Sequence, residues 1–274
     1  MAEGFGDSSA IILFAAFFVL YGLEFFFPLV RRKSKHLISN ILSAGVLTLI
    51  NLSFTSITFL IAGLVEKYQF GIFQNLSAST GVQILVSIVF LDFWAGYLVH
   101  FLHHRFPLLW QLHIVHHSDD LVDVTTTFRQ HPGESIIRIA FHLSGMFILG
   151  IPVWILLIYL TLSTIHAQLE HANIKLPDKV DRMLQLVFVT PNMHKVHHSR
   201  YQHETDSNYS NIFSIWDRLF RTFKARQEYH SIDYGLDYLE TGRHYSFFEL
   251  IKLPFSESRP PKKRSRVKSR TRLT

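Results

Sequence analysis

The stretch LVHFLHHRFPLLWQLHIVHHSDD, from Leu98 to Asp120, holds six of the chain's 17 histidines. His100 and His104 are four residues apart, which on a helix stacks both rings on one face within reach of one ion. His113, His116 and His117 follow an i, i+3, i+4 pattern, again one face. Far along the chain, HKVHH repeats that pattern with His194, His197 and His198. One such cluster is also what a polar helix face built from histidine looks like. Two copies of H-x-x-H-H beside an H-x-x-x-H do not arise by chance at ordinary histidine frequency. Buried imidazoles need partners, and a metal ion satisfies several together. With no cysteine in the chain, thiolate sites and disulfides are excluded and the ligands are nitrogen and oxygen. Eight histidines exceed what one ion uses, so two ions is the natural count. Imidazole suits iron, zinc and copper, which leaves the metal open.

The elements that must position these residues are apolar. The chain has 274 residues, 48% hydrophobic and 18% charged, with 25 phenylalanines, which is apolar for a soluble domain. Ile11 to Val30 carries one charge, Glu24, and is long enough to span a bilayer. No basic residue precedes it and no small-x-small site follows, which argues against a cleaved signal peptide. Leu37 to Val65 holds no acid or base, and its Asn40, Asn51, Ser and Thr suit helix–helix contacts. Glu66 to Ser79 reads as a loop and Thr80 to Val99 as a third span, with Asp92 and Trp94 inside it. Ile136 to Ile165 is broken by Gly150-Ile151-Pro152 into halves of about 14 residues, too short to cross at about 1.5 Å per residue. It reads as a helical hairpin that dips in and returns.

The basic motif RRKSK at Arg31 to Lys35 puts the end of the first span in the cytoplasm. The histidine boxes and the basic tail then fall on the same side. The net charge of +6 is concentrated at the end, where the last 15 residues hold seven Lys or Arg. That tail reads as disordered and suited to anionic lipid. After Lys175 the chain reads as soluble, and no solenoid-type repeat is present. The fold expected is all-α: a polytopic membrane bundle of about three full spans plus a re-entrant hairpin, with a cytosolic helical cap holding the histidine-rich di-metal site. Its parts are transmembrane helices at 1–90, a catalytic domain at 91–225, an extension at 226–259 and the tail at 260–274.

DFWAGYLVHFLHHRFPLLWQLHIVHHS resembles the first two histidine boxes of the membrane fatty acid hydroxylase and sterol desaturase superfamily. TFRQHPGE, LEHANIKLP, TPNMHKVHHSR and SNYSNIFSIWDRLFRTF resemble its later segments, in order, from Asp92 to about Phe223. The resemblance implies a di-iron centre that uses dioxygen as co-substrate to hydroxylate or desaturate lipids, with zinc as an occupant after purification. It implies as ligands His100, His104, His113, His116, His117, His171, His194, His197 and His198, and adds His166, although five residues before His171 is an awkward helical spacing. No catalytic residue separate from the ligands is implied.

The remaining polar residues are assigned by position. His131 in RQHPGE resembles a haem-ligating motif, but Glu134 replaces its last glycine, so a helix-orienting role is expected. His103 projects off the His100/His104 face and reads as a surface or hydrogen-bonding residue. His36, His142, His203, His230 and His244 lack partners at ligand spacing. Asp92, Asn173 and Asn192 are candidates to accept a bond from a ligand ring, with helix packing the alternative for Asp92. Trp216, Phe220 and Phe223 read as packing. Asp217 reads as a local salt bridge to Arg218 or Arg221, or as a partner of a ligand ring.

The expected activity is therefore oxidation of an unactivated lipid C–H bond in a bacterial inner membrane or endoplasmic reticulum membrane. The sequence shows no flavin, haem or iron–sulfur motif, so electrons come from a separate reductase, ferredoxin or b-type cytochrome. No nucleic-acid partner is expected. Two other classes fit the imidazoles less well: a membrane zinc hydrolase, whose metal usually takes three protein ligands, and a non-enzymatic metal- or lipid-binding protein.

Overall fold

The computed structural model describes residues 2–30, 36–240 and 245–256. RRKSK, His244 and the basic tail lie outside them. Four long helical stretches are apolar enough to cross a membrane by length and composition: Ser8–Phe26, Leu37–Asn75, Thr80–Arg105 and Val153–His171. The protein is a multi-pass helical membrane protein. The first helix, α1 (Ala2–Phe26), and the second, α2 (Leu37–Tyr68), expose side chains such as Phe18, Phe25, Leu49 and Leu60 along their length. Such a surface is stable against lipid and not against water.

After a single turn of helix, α3 (Ile72–Asn75), comes a continuous rod made of α4 (Thr80–Leu91), a π-helical segment (Asp92–Leu98) and α5 (Val99–Arg105). The rod stops at Phe106, and Pro107 starts α6 (Pro107–His117), because a proline at the first helical position costs no hydrogen bond. A 3₁₀ turn at Val124–Phe128 then leads to the hairpin of α7 (Pro132–Leu149) and α8 (Val153–His171).

The hairpin is longer than its apolar stretch indicates. Its helices run 18 and 19 residues, not about 14, because the polar ends Pro132–Ser135 and Gln168–His171 continue the helices. The tip reaches the far end of α2. Gly150 sits at φ +70° and Gly71 at φ +105°, and a Cβ on Gly150 would lie 2.5 Å from the Phe70 carbonyl. Gln74 donates to the Gly150 carbonyl at 2.8 Å. Glycine is required at both positions by backbone angle and by close approach. Phe70 stacks on Phe147 beside them.

The rest of the chain caps the end where the rod and the hairpin emerge. It contains the short helices α9 (Asp178–Leu184), α10 (Pro191–His197), α11 (Gln202–Thr205) and α12 (Ile215–Leu219), and finally α13 (Phe247–Ser256). Asp92 fastens this cap to the rod. Its carboxylate accepts the backbone amides of Ile212 and Phe213 at 2.9 and 3.0 Å and the Trp216 indole at 2.9 Å. A buried acid with three donors is fully paid for in hydrogen bonds, so the membrane-embedded Asp92 is a packing residue and not a ligand's partner. The π segment begins at this residue, as π-bulges do where a helix is locally re-aimed.

Candidate metal centre

Two helix ends and two short helices converge on one point. The rod supplies His100 and His104, α6 supplies His113, His116 and His117, α8 ends on His171, and α10 with its C-cap brings His194, His197 and His198. Thr190 sets the start of α10, accepting the Met193 amide at 3.2 Å, with Pro191 in the first helical position. His131 caps α7 in the same way, accepting the Gly133 amide at 3.1 Å, which is the helix-orienting role its position implies.

The nine rings divide into two groups. His100, His104, His113, His117 and His197 form one; His116, His171, His194 and His198 form the other; within each, the candidate donor atoms lie within 4.8 Å of one another. The H-x-x-H-H boxes are therefore split, each giving residues to both groups. All nine rings are buried.

The tautomers identify what these rings await. His100 Nδ1 donates to the Tyr209 carbonyl at 2.9 Å, and His113 Nδ1 donates to Glu134 at 2.9 Å. Each Nε2 is then a bare lone pair, yet the two Nε2 atoms lie 3.0 Å apart. The second group repeats the arrangement. His116 Nδ1 is committed to the Arg129 carbonyl at 3.2 Å and His171 Nδ1 to the Ala167 carbonyl at 2.7 Å, while their Nε2 atoms face each other at 3.1 Å. His194 Nε2 and His198 Nε2 stand 3.1 and 3.2 Å from the same His171 nitrogen. Lone pairs so opposed repel unless a cation lies between them. Two nitrogens about 2.1 Å from one ion and 90–100° apart are about 3.0–3.2 Å from each other. His197 adds a buried Nε2 without a hydrogen-bond partner, its Nδ1 being held by the Ser207 carbonyl at 2.7 Å. Protons are poor substitutes for the cation. Burial, and after it the neighbouring imidazoles, push His113, His117, His194, His197 and His198 well below the ordinary imidazole range and His116 to about 3. The donor set fits an imidazole-binding metal in each group.

His166 is not brought to either group. Its Nε2 bonds the Val189 carbonyl at 2.9 Å, and its ring lies near Phe188. His103 is fully buried, not a surface residue; its Nδ1 donates to the Val99 carbonyl at 2.7 Å. Asn173 exchanges two hydrogen bonds with the backbone of Val30, at 3.1 and 2.8 Å, and Asn192 bonds Asp181, so neither holds a ligand ring. Asp217 accepts the amides of Tyr209 and Ser210 at 2.8 and 2.9 Å. It steadies His100 through the Tyr209 carbonyl and not by touching a ring. Arg218 turns away to the Gln185 carbonyl and lies over Phe223.

Four acidic or basic residues matter that spacing alone does not reveal. Glu134 links His113 to Arg138, each at 2.9 Å. Glu170 places a carboxylate oxygen 3.7 Å from His194 Nε2, with its other oxygen buried and unpartnered. His36 bridges Asp119 and Asp123 at 2.6 and 2.9 Å, tying the start of α2 to the loop after α6. Burial opposes a charge on His36, but the two carboxylates outweigh it and raise its pKa to about 10. Arg129 completes this tie, donating to Val115, Ser118 and Asn40 while its carbonyl holds His116.

A helical membrane bundle capped by two buried all-histidine groups, each able to hold a metal ion, is the class that fold and site define. The chain matches the fatty acid hydroxylase family over residues 84–222, about half its length, and belongs to that family. It is 31% identical over 175 residues to the ornithine lipid hydroxylase OlsE of Rhizobium tropici, covering 64% of this chain and 50% of that protein. It is 34% identical over 151 residues to the alkylglycerol monooxygenase of Caenorhabditis elegans, covering 54% of this chain and 28% of that protein. The human alkylglycerol monooxygenase is 29% identical over 165 residues, covering 58% and 33%. The chain thus spans half or less of these relatives' lengths. No solved structure matches it.

Proposed function

We propose that this chain is a membrane-bound, dioxygen-dependent lipid hydroxylase that holds one iron ion in each histidine group. The observation that carries the reading is the pair of opposed, deprotonated Nε2 contacts, one in each group. Membership of the fatty acid hydroxylase family supports iron and dioxygen. When bound, the metals supply the dioxygen activation and C–H oxidation that no side chain here performs. The nine histidines bind them. Glu134 and the carbonyls of Tyr209, Arg129, Ala167 and Ser207 fix ring orientation and tautomer, as partners of ligand histidines do. Burial of all nine rings excludes water from the reaction.

The substrate class follows from depth. His100 and His104 stand at the end of one helical stretch long and apolar enough to cross a membrane, and His171 at the end of another, 19 residues long where about 14 was expected, which supports a centre at the membrane border. A carbon oxidised there is close to a lipid's polar head. The named relatives act on an ornithine lipid and an alkylglycerol. We therefore read the substrate as a head-bearing acyl or alkyl lipid in preference to a sterol. An open apolar groove lined by Leu85, Val89, Phe90, Phe93, Trp216 and Phe220 runs along the same rod and suits its chain. The relatives' names favour hydroxylation over desaturation. The histidine side is cytoplasmic in this reading, where a separate reductase, ferredoxin or b-type cytochrome delivers electrons. Lipid profiling of cells with and without the gene, in normal and low oxygen, tests the proposal. A hydroxylated lipid that disappears on deletion and at low oxygen is expected. A lipid change independent of oxygen contradicts it.

A further inference from the structure

Helix α13 has three faces, and only one of them is buried. Leu250, Leu253 and Pro254 are buried, the leucines against Trp110, Ile114 and Val115 of α6. Glu249 and Ser256, seven residues apart, form a polar edge; the Glu249 carboxylate accepts the amide and hydroxyl of Ser246, both at 2.8 Å, and so caps the helix. On the other side stand Phe248 and Phe255, also seven apart, 73% and 81% exposed. Lys252 lies between the two exposed sides, where a long side chain can reach from an apolar to a polar region.

Two exposed phenylalanines alone carry nothing; their position does. Ser39, in the first turn of α2, donates to the carbonyl of Tyr245, two residues before α13, at 2.9 Å. The same turns of α2 expose Ile38 and Ile41. Phe106 and Leu108, at the start of helix α6 on which α13 packs, are exposed just where the rod ending at Arg105 stops. The start of one span, the end of another and α13 are thus joined by these contacts, and Ile38, Ile41, Phe106, Leu108, Phe248 and Phe255 are the apolar side chains they expose. Beyond α13, residues 257–274 contain eight Lys or Arg and one acid, Glu257.

We propose that α13 lies in the boundary between headgroups and acyl chains, inserting Phe248 and Phe255 into the leaflet on the histidine side. A helix with one face on protein, one on lipid and one on water fits an interfacial anchor. The anchor is tied to the metal centre. The Phe255 ring packs on His131, 6.1 Å between centroids, and His131 caps α7, which carries Glu134, the partner of His113. The inference rests on the spans crossing a bilayer and not on the identity of the metal.

The chain contains no cysteine, so single cysteines take one spin label each. Full-length Phe248→Cys, Phe255→Cys and Ser256→Cys are labelled and placed in nanodiscs of mixed zwitterionic and anionic phospholipid. Labels at 248 and 255 are expected to collide with dioxygen more than with a water-soluble nickel chelate, and the label at 256 to do the reverse. Equal nickel accessibility at all three positions overturns the proposal. So does dipolar broadening between labelled chains at 248 and 255, which would put a second copy of the chain on this face in place of lipid. If a cysteine variant does not fold, Phe248→Trp and Phe255→Trp read by quenching with brominated lipid replace it. Strong quenching over the wild-type background supports the proposal, and none overturns it.

Discussion

The two histidine groups use the same chemistry with different reserves. The five-histidine group is closed over: Trp110 lies against it, 4.8 Å from the His104 ring and 5.3 Å from that of His117, and Glu134 buttresses His113. The four-histidine group has one imidazole fewer, ring supports that are backbone carbonyls, and the Glu170 carboxylate close by. By count of candidate donors, the five-histidine group would offer an ion more imidazoles than a four-coordinate site uses, and the four-histidine group would offer four with a carboxylate beside them.

The largest expected effect comes from removing one ligand from each side. His104→Ala and His171→Ala should each lower metal content from two ions per chain toward one and reduce turnover by about 10³-fold or more, since a catalytic metal is worth several kcal/mol of barrier. Metal analysis of the two variants checks this; loss of both ions from either would merge the two groups into one site. Next is Glu134→Gln, which replaces a charged partner of His113 by a neutral one. Affinity at the five-histidine site should fall by about 10- to 100-fold, with the four-histidine ion retained, as read by competition with a chelator.

A pH series acts on both groups together. The depressed histidines bind protons in the unfolded chain below about 6.5 and not in the folded one. The stability of the metal-free protein is therefore full above that pH and falls as the pH drops toward 3, which thermal unfolding across the range measures. His36 has the opposite sign. Its pKa is raised to about 10, so its contribution is full below about 6.5 and is lost as pH rises through 10. His36→Gln should flatten that alkaline limb and leave the acid limb unchanged. The smallest effect is expected furthest from the histidines. Gly150→Ala, at positive φ against the Phe70 carbonyl, should cost about 1 kcal/mol or more and leave the metal content of both groups unaltered.

Eight of the nine converging histidines are legible from helical spacing, and His171 from the family segment that contains it. The resemblance also adds His166 as a ligand, and the structure instead gives its ring to a backbone carbonyl. Roles set by distant partners were not legible. His36 pairs with acids 83 and 87 residues away, and Asp92 with amides 120 and 121 residues on. Nothing local marks such pairs. Glu134 is not legible either, because its partner His113 lies 21 residues earlier on another helix. The hairpin's length was underestimated because hydropathy ends where polar residues begin, whereas the helix does not.

Two distinct metal sites made by nine histidines would show directly in the full chain purified without oxygen from iron-replete cells, with its metals counted and its Mössbauer spectrum recorded. Two iron ions per chain in two non-equivalent, nitrogen-rich environments are expected. A single ion per chain, or one that survives conversion of His116, His171, His194 and His198 to alanine with turnover intact, would contradict the two-site arrangement.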